Sequence, residues 1–411
     1  MHALLRPRLG AGFTRLWTAA AVSNLGDGVT MVAGPLLLTT VTDDPALIAG
    51  GAFAGQLPWL LFALISGAFV DRLDRHRLVV VVNLLRGAVL AGLAAAIATG
   101  HVSVPVIYLA SFLLGVGETL ADTAYGALLP AVVAPDDLER AYSRLGATFT
   151  IANQFAAKPF GAWLYGIAAA LPFGLDAASF VAAAVLIAGL PAVPRPATPE
   201  RRDNLRADIA AGLRWLWRHR LLRTLAAAMG VANIAFCAAF AVFVLYARDR
   251  LGLSGVGYGF LLTTFAVGGL AGAGFATWLS RRFGAGRVLR AGLIVEIITH
   301  LTLAVTTNPL VAGGIIVIFG VHTMVWGVLV STIRQRAVPD ELRGRVGSVY
   351  ALLETGGAAL GWLVGALFAQ LWGVTVPFWI AAFAMVAVTA AAWRPLSEIN
   401  PVSGTAAAPS S

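Results

Sequence analysis

Charge is scarce in this chain: 12% of its 411 residues are Asp, Glu, Lys or Arg, where soluble globular domains carry about 25%. That shortage, with a hydrophobic content of 59%, excludes a water-soluble fold. Cysteine is nearly missing as well. Its single representative, Cys237, lies in an apolar run without a partner, so neither a disulfide framework nor a cysteine zinc module can be built. Lysine occurs once, as Lys158 among 29 basic residues. No Gly-x-x-x-x-Gly-Lys-Ser/Thr loop is present, which removes direct use of ATP. There is also no His-Glu-x-x-His, no clustered Ser/His and no paired midplane aspartate motif, so the chain is not expected to be an enzyme or to hold a metal or cofactor.

Long apolar runs are what the chain does have. A membrane-spanning helix takes roughly 20 mainly apolar residues. Such runs occupy residues 13–41, 46–70, 78–99, 104–129, 145–169 and 171–193, then 223–247, 255–279, 288–306, 309–333, 347–371 and 375–393. The first is too long for the h-region of a secretory signal and is followed at once by another, so it is expected to stay as a span. The predicted fold is an all-α membrane protein of twelve transmembrane helices. Its parts are a first six-helix half, 1–193, a cytoplasmic linker, 194–222, a second half, 223–393, and a disordered cytoplasmic tail, 394–411.

The net charge of +9 raises the question of nucleic acid, and the placement of the arginines answers it. With twelve spans, 25 of the 29 basic residues fall on the side of the termini and only Arg248 and Arg250 on the other. That alternation is the positive-inside pattern, with both termini cytoplasmic in an inner or plasma membrane, and no nucleic-acid partner is expected. In the linker, Leu205, Ile209, Leu213 and Leu216 recur at helical spacing, with Arg206, Arg214 and Arg218 available to water or lipid headgroups.

An internal repeat supports the two halves. Pro135-Asp136-Asp137-Leu138-Glu139-Arg140 follows the fourth span, and Pro339-Asp340-Glu341-Leu342-Arg343-Gly344-Arg345 follows the tenth. A Pro-Asp start suits a helix N-terminus, where carboxylates meet unpaired backbone N–H groups. Parallel six-helix repeats with a substrate site between them are one way to build a transporter.

The loop after the second span, Gly67-Ala68-Phe69-Val70-Asp71-Arg72-Leu73-Asp74-Arg75-His76-Arg77, resembles the Gly-x-x-x-Asp-Arg-x-Gly-Arg-Arg loop of the major facilitator superfamily, with Asp74 where glycine is usual. Gly67 permits close helix contact, Asp71 can cap a helix or pair with a cation, and Arg72, Arg75 and Arg77 anchor the loop. The resemblance implies a gating role for these residues rather than substrate binding. Further stretches resemble the branch of macrolide-type drug exporters and the enterobactin exporter: Ser23-Asn24-Leu25-Gly26-Asp27-Gly28, Leu128-Leu129-Pro130, Leu171-Pro172-Phe173 with Asp176 and Ser179-Phe180, and Ile333-Arg334-Gln335-Arg336. The fifth span departs from the glycine-rich antiporter pattern of the superfamily, because Lys158 precedes Pro159-Phe160-Gly161 where a glycine is expected.

Asp27, Glu118, Asp122 and Lys158 lie inside apolar runs. A charge at a helix centre costs about 2.5–3.5 kcal/mol even on the lenient insertion scale, so these groups are expected to face a cavity or each other. Glu118 and Asp122 are one helical turn apart. The resemblance implies that the first and fourth spans line the central cavity, which makes these four the candidates for proton coupling and substrate charge. A pair of Lys158 with Glu118 or Asp122, broken by a proton or a cationic substrate, is weighed against a fixed ion pair. Arg86 is expected to snorkel or to pair structurally with an acid. Asn24, Asn233 and the His322/Trp326 face are cavity candidates, while Glu296 and His300 are assigned to packing or the lipid interface and Glu354 is ambiguous. Gly357, Gly361, Gly365 and Gly268, Gly272 form strips for close helix packing.

The expected function is secondary active transport: proton-coupled efflux of an amphipathic small molecule by alternating access, by a monomer bathed in membrane lipid. A siderophore or lysolipid exporter of the same fold and a non-transporting sensor or scaffold are the alternatives.

Overall fold

The computed structural model describes residues 9–70, 73–190, 205–339 and 342–399. Among them there is no strand. The first part of the chain forms α1 (Gly10–Val41), α2 (Pro45–Val70), α3 (Arg75–Ala98), α4 (Val104–Val132), α5 (Leu138–Phe149), α6 (Ala157–Ile167) and α7 (Leu171–Ala188). The second forms α8 (Leu205–Arg218), α9 (Arg220–Phe240), α10 (Phe243–Leu245), α11 (Gly255–Phe283), α12 (Ala285–Val305), α13 (Pro309–Ala337), α14 (Arg343–Trp372) and α15 (Val376–Ser397).

Among the described residues, eleven helices are long and apolar enough to cross a membrane. The remaining expected span, the fifth, is a composite in which α5 and α6 are joined without a break by a π-helical stretch, Thr150–Ala156. The cause lies in Pro159, which has no N–H to give to the carbonyl four residues back. The backbone ahead of it widens instead, and the Ala157 N–H bonds to the Ala152 carbonyl, five residues back.

Two compact units result, one from residues 1–201 with 241–263, the other from 202–240 with 264–411. Residues 241–263, which the half-chain division assigns to the second half, group with the first unit. The reasons are local: Arg248 pairs with Asp43 at 3.0 Å, and a Cβ on Gly259 would stand 2.9 Å from the Lys158 carbonyl oxygen. Asp249, then Asp43, hold the Arg248 guanidinium charged by hydrogen bonding. The chain leaves the second unit where α9 ends in a turn at Ala241 and Val242.

Within the first unit α1 packs on α6 and α7, α3 on α4 and α7, and α2 on α4. Within the second, α9 lies between α14 and α15, and α12 between α13 and α15. The glycine strips do what their spacing suggests. Gly357, Gly361 and Gly365 of α14 press on the α9 backbone at Gly230, Ile234 and Ala238, and Gly268 and Gly272 of α11 press on Val317 and Val321 of α13.

Helix ends bear out some expectations and correct others. The repeat motifs each precede a helix, through a 3-10 turn at Pro135–Asp137 in one case and a Leu342 N–H to Pro339 carbonyl bond in the other. Asp137 makes no side-chain cap bond, so its carboxylate acts on α5 only through the helix dipole. Asp340 and Glu341 lie outside the described residues. The linker is helical at α8, but its leucine stripe is not all buried: Leu216 is in the core, Leu213 is exposed, and Gly212 meets the Arg345 backbone at the start of α14. The remainder of the linker, 194–204, and the tail from 400 lie outside the described residues.

Candidate functional site

Most of the charge buried in the first unit gathers around Arg86 on α3. Only 8% of this residue is exposed. Its Nη2 donates to Asp27 Oδ1 of α1 at 2.9 Å, and the guanidinium lies 4.0 Å from the ring centroid of Phe180 on α7. Gly117 of α4 makes room for its stem, since a Cβ there would come within 2.7 Å of Arg86 Cγ. Of the two expectations for Arg86, snorkelling or pairing with an acid, the structure has the second: an ion pair and an aromatic face stabilise the guanidinium inside the bundle.

Three further carboxylates share this electrostatic neighbourhood. Glu118 and Asp122, exposed on one face of α4, both interact with Arg86 and Asp27. Asp176 of α7 is buried and interacts with the same two groups. It accepts hydrogen bonds from Thr30 at 2.6 Å and Ser179 at 3.0 Å. Gly26 gives it space, because any side chain there would run into the carboxylate. In the sequence Asp176 stands out only as part of a resemblance, although an acid in the apolar run 171–193 carries the same signal as Asp27.

Lys158 does not join this group. Nothing among the described residues pairs it with Glu118 or Asp122. Its Nζ donates to Gln154 Oε1 at 2.5 Å, one turn earlier, Gln154 donates to Asn153 at 3.0 Å, and Asn153 donates to the backbone carbonyl of Asn24 at 3.0 Å. Lys158 is buried beside α1 and α11, and an amide oxygen takes the place of the carboxylate. Asn24 contributes its carbonyl to this chain of amides. Exchanging Lys158 for methionine is expected to leave thermal stability unchanged or raised, whereas Gln154→Leu, which strands the ammonium, lowers it by about 1–3 kcal/mol; unfolding of the two purified variants in detergent checks the contrast.

Of the loop resembling a gate, Gly67 lies in the last turn of α2, Arg75 and Arg77 open α3, and Asp71 and Arg72 lie outside the described residues. The substitution at Asp74 has a reason: its Oδ1 accepts the Arg77 N–H at 3.1 Å and caps α3.

The second unit holds its own polar group. Packing or lipid contact is the sequence-based expectation for Glu296 of α12, yet it reaches His322 of α13, with 3.4 Å between Oε2 and Nε2 and both side chains buried. Gly292 leaves the space that the imidazole fills. His322 and Trp326 stack edge to face at 5.9 Å, and Asn233 of α9 donates to the backbone carbonyl of Glu354 on α14.

The chain is similar in sequence and in fold to known proteins. The sequence model of the transmembrane secretion effector family matches residues 4–408. The chain is 27% identical over 372 residues to the multidrug efflux pump Tap of Mycolicibacterium fortuitum, covering 88% of this chain and 90% of that protein. It is 26% identical over 383 residues to the enterobactin exporter EntS of Escherichia coli O1:K1 / APEC, covering 87% and 86%. In fold it is similar to a bacterial homologue of the iron transporter ferroportin in an inward-facing state, with TM-score 0.76, 18% identity and coverage of 95% of this chain and 100% of that one. The nucleoside transporter NupG gives TM-score 0.73 at 12% identity, covering 95% and 100%. The helices, the charged cluster between them and a family match over nearly the full length lead to one conclusion: the chain belongs to the transmembrane secretion effectors of the major facilitator superfamily and is an efflux transporter, not an enzyme.

Proposed function

We infer that the chain exports amphipathic small molecules in exchange for protons, with Asp27, Glu118 and Asp122, joined by Asp176, as the groups that trade protons against substrate. One observation carries the reading. Asp27 and the buried Asp176 share a single guanidinium between apolar helices, with Glu118 and Asp122 on an exposed face of α4 within electrostatic reach, and if Asp27 and Asp176 were both ionised one negative charge inside the bundle would lack a counter-charge. Burying an uncompensated charge costs several kcal/mol, so the cluster is stable only when protons or a cationic group supply the balance. A proton or substrate bound there changes the relative stability of inward- and outward-open states, which is what alternating access requires. In this scheme the halves 1–193 and 223–393 move about the site as a monomer in the inner membrane, both termini and the 194–222 linker being cytoplasmic as the arginine distribution favours. Residues Gly67, Asp71, Arg72, Arg75 and Arg77 serve as the latch of the cytoplasmic gate.

The test is ligand-induced proton movement in proteoliposomes, screened over amphipathic compounds that include ethidium and enterobactin. Wild type is expected to move protons with at least one of them, and Asp27→Asn and Glu118→Gln to lose that movement. Transport of a compound with no accompanying proton flux overturns the coupling. The similarity to the enterobactin exporter supports a second reading, siderophore export, which a response to enterobactin alone would favour.

A further inference from the structure

A cavity of about 260 Å³ lies within the second unit between α9, α11, α12, α13 and α14. Phe236, Phe265, Phe319 and Trp326 form much of its wall, and Glu296, His322 and Glu354 supply its polar groups. The aromatic rings are arranged as one surface: Phe236 lies 6.0 Å from Phe265 and 5.9 Å from Phe319, and Phe319 lies 6.1 Å from His322. The two acids differ. Glu296 is buried and spoken for by His322. Glu354 is exposed on the cavity wall, its backbone carbonyl is engaged by Asn233, and no described residue offers its carboxylate a cation. It stands eleven residues beyond the start of α14, about 16 Å along the helix axis, well inside the span.

A carboxylate without a counter-charge in an apolar span is costly, and a wall of π faces beside it attracts positive charge. We propose that this cavity is a binding site for a planar aromatic cation, whose ring system lies against Phe236, Phe319 and Trp326 and whose positive charge pairs with Glu354. A cavity of roughly 150 Å³ is enough to hold benzene, so this one takes a fused ring system of two or three rings, or the end of a larger molecule. The His322–Glu296 pair forms the closed polar side of the pocket and keeps the second acid from competing for the ligand. The inference rests on the export reading for its physiological sense, but binding here needs no proton gradient.

The experiment is equilibrium binding of ethidium to the purified full chain in detergent, followed by ethidium fluorescence, with no gradient present. Wild type is expected to bind saturably. Glu354→Gln and Trp326→Leu each weaken the affinity about tenfold, while Trp326→Phe, which keeps a π face, weakens it less. Any binding of fluorescein, planar but anionic, is not weakened by Glu354→Gln. Binding is read with no gradient present, so a change of ethidium affinity in Glu354→Gln reports on this site alone, while loss of proton movement in vesicles reports on the export reading, and failure of one is distinguishable from failure of the other. Variants are accepted only with a wild-type elution profile and melting temperature. Saturable binding with unaltered affinity in Glu354→Gln and Trp326→Leu, or no binding to wild type, overturns the proposal.

Discussion

Replacing Arg86 by methionine is expected to destabilise the protein by about 3–5 kcal/mol, because it leaves the carboxylates of Asp27 and Asp176 facing each other with no cation between them. Methionine keeps most of the volume, so the space beside Gly117 stays filled and lost packing contributes little. The partner variant, Asp27→Asn, strands the guanidinium instead. The double variant, methionine with asparagine, is expected to recover part of the stability, since the repulsion between Asp27 and Asp176 is removed and Asp176 alone is left without the cation, and to remain inactive in transport. Thermal unfolding in detergent of the wild type, the two single variants and the double variant gives the coupling energy directly. A double variant no more stable than Arg86→Met would mean that the Asp27 pair is not what holds Arg86 in place.

The second large effect is steric. Gly365 of α14 lies so close to Ala238 of α9 that even one added carbon meets its carbonyl. Gly365→Leu is therefore expected to cost about 3 kcal/mol or more and to prevent recovery of monodisperse protein, since two backbones cannot move aside as a side-chain tip can. Gly356, nine residues earlier on the same helix, has open space around it, and Gly356→Ala is expected to be neutral or to stabilise by about 0.5–1 kcal/mol. Monodisperse yield of the two variants, with the melting temperature of Gly356→Ala against wild type, checks that position, not helix propensity, decides the outcome.

The sequence reveals what solvent and spacing determine, and hides what depends on facing. Spans are legible because lipid demands long apolar runs, and the glycine strips because a four-residue period names one helical face. The partner of Asp27 is not legible: Arg86 lies 59 residues away, and no local pattern tells which way a uniformly apolar helix is rotated. The same ignorance of rotation sets Lys158 against Glu118 and Asp122 in a reading from sequence. Glu296 is sent to packing or the lipid interface by the resemblance, which makes its span peripheral, whereas the missing side chain at Gly292 lets His322 come to it. The widened backbone of the fifth span is only half legible: Pro159 marks a lost hydrogen bond, but a π-helical stretch has the composition of the α-helix around it, so its place and extent are not.

That stretch, Thr150–Ala156, holds one residue more than an α-helix needs to cover the same rise. Everything after it, including Lys158 and Gly161, is turned by about 100° relative to a regular helix continued from α5. A homologue lacking the extra residue would keep its hydrophobic content and its span length while presenting a different face to α1. In this part of the chain a single-residue gap in an alignment therefore marks a rotation of the helix, and residues placed in one column on either side of it do not occupy equivalent positions in space.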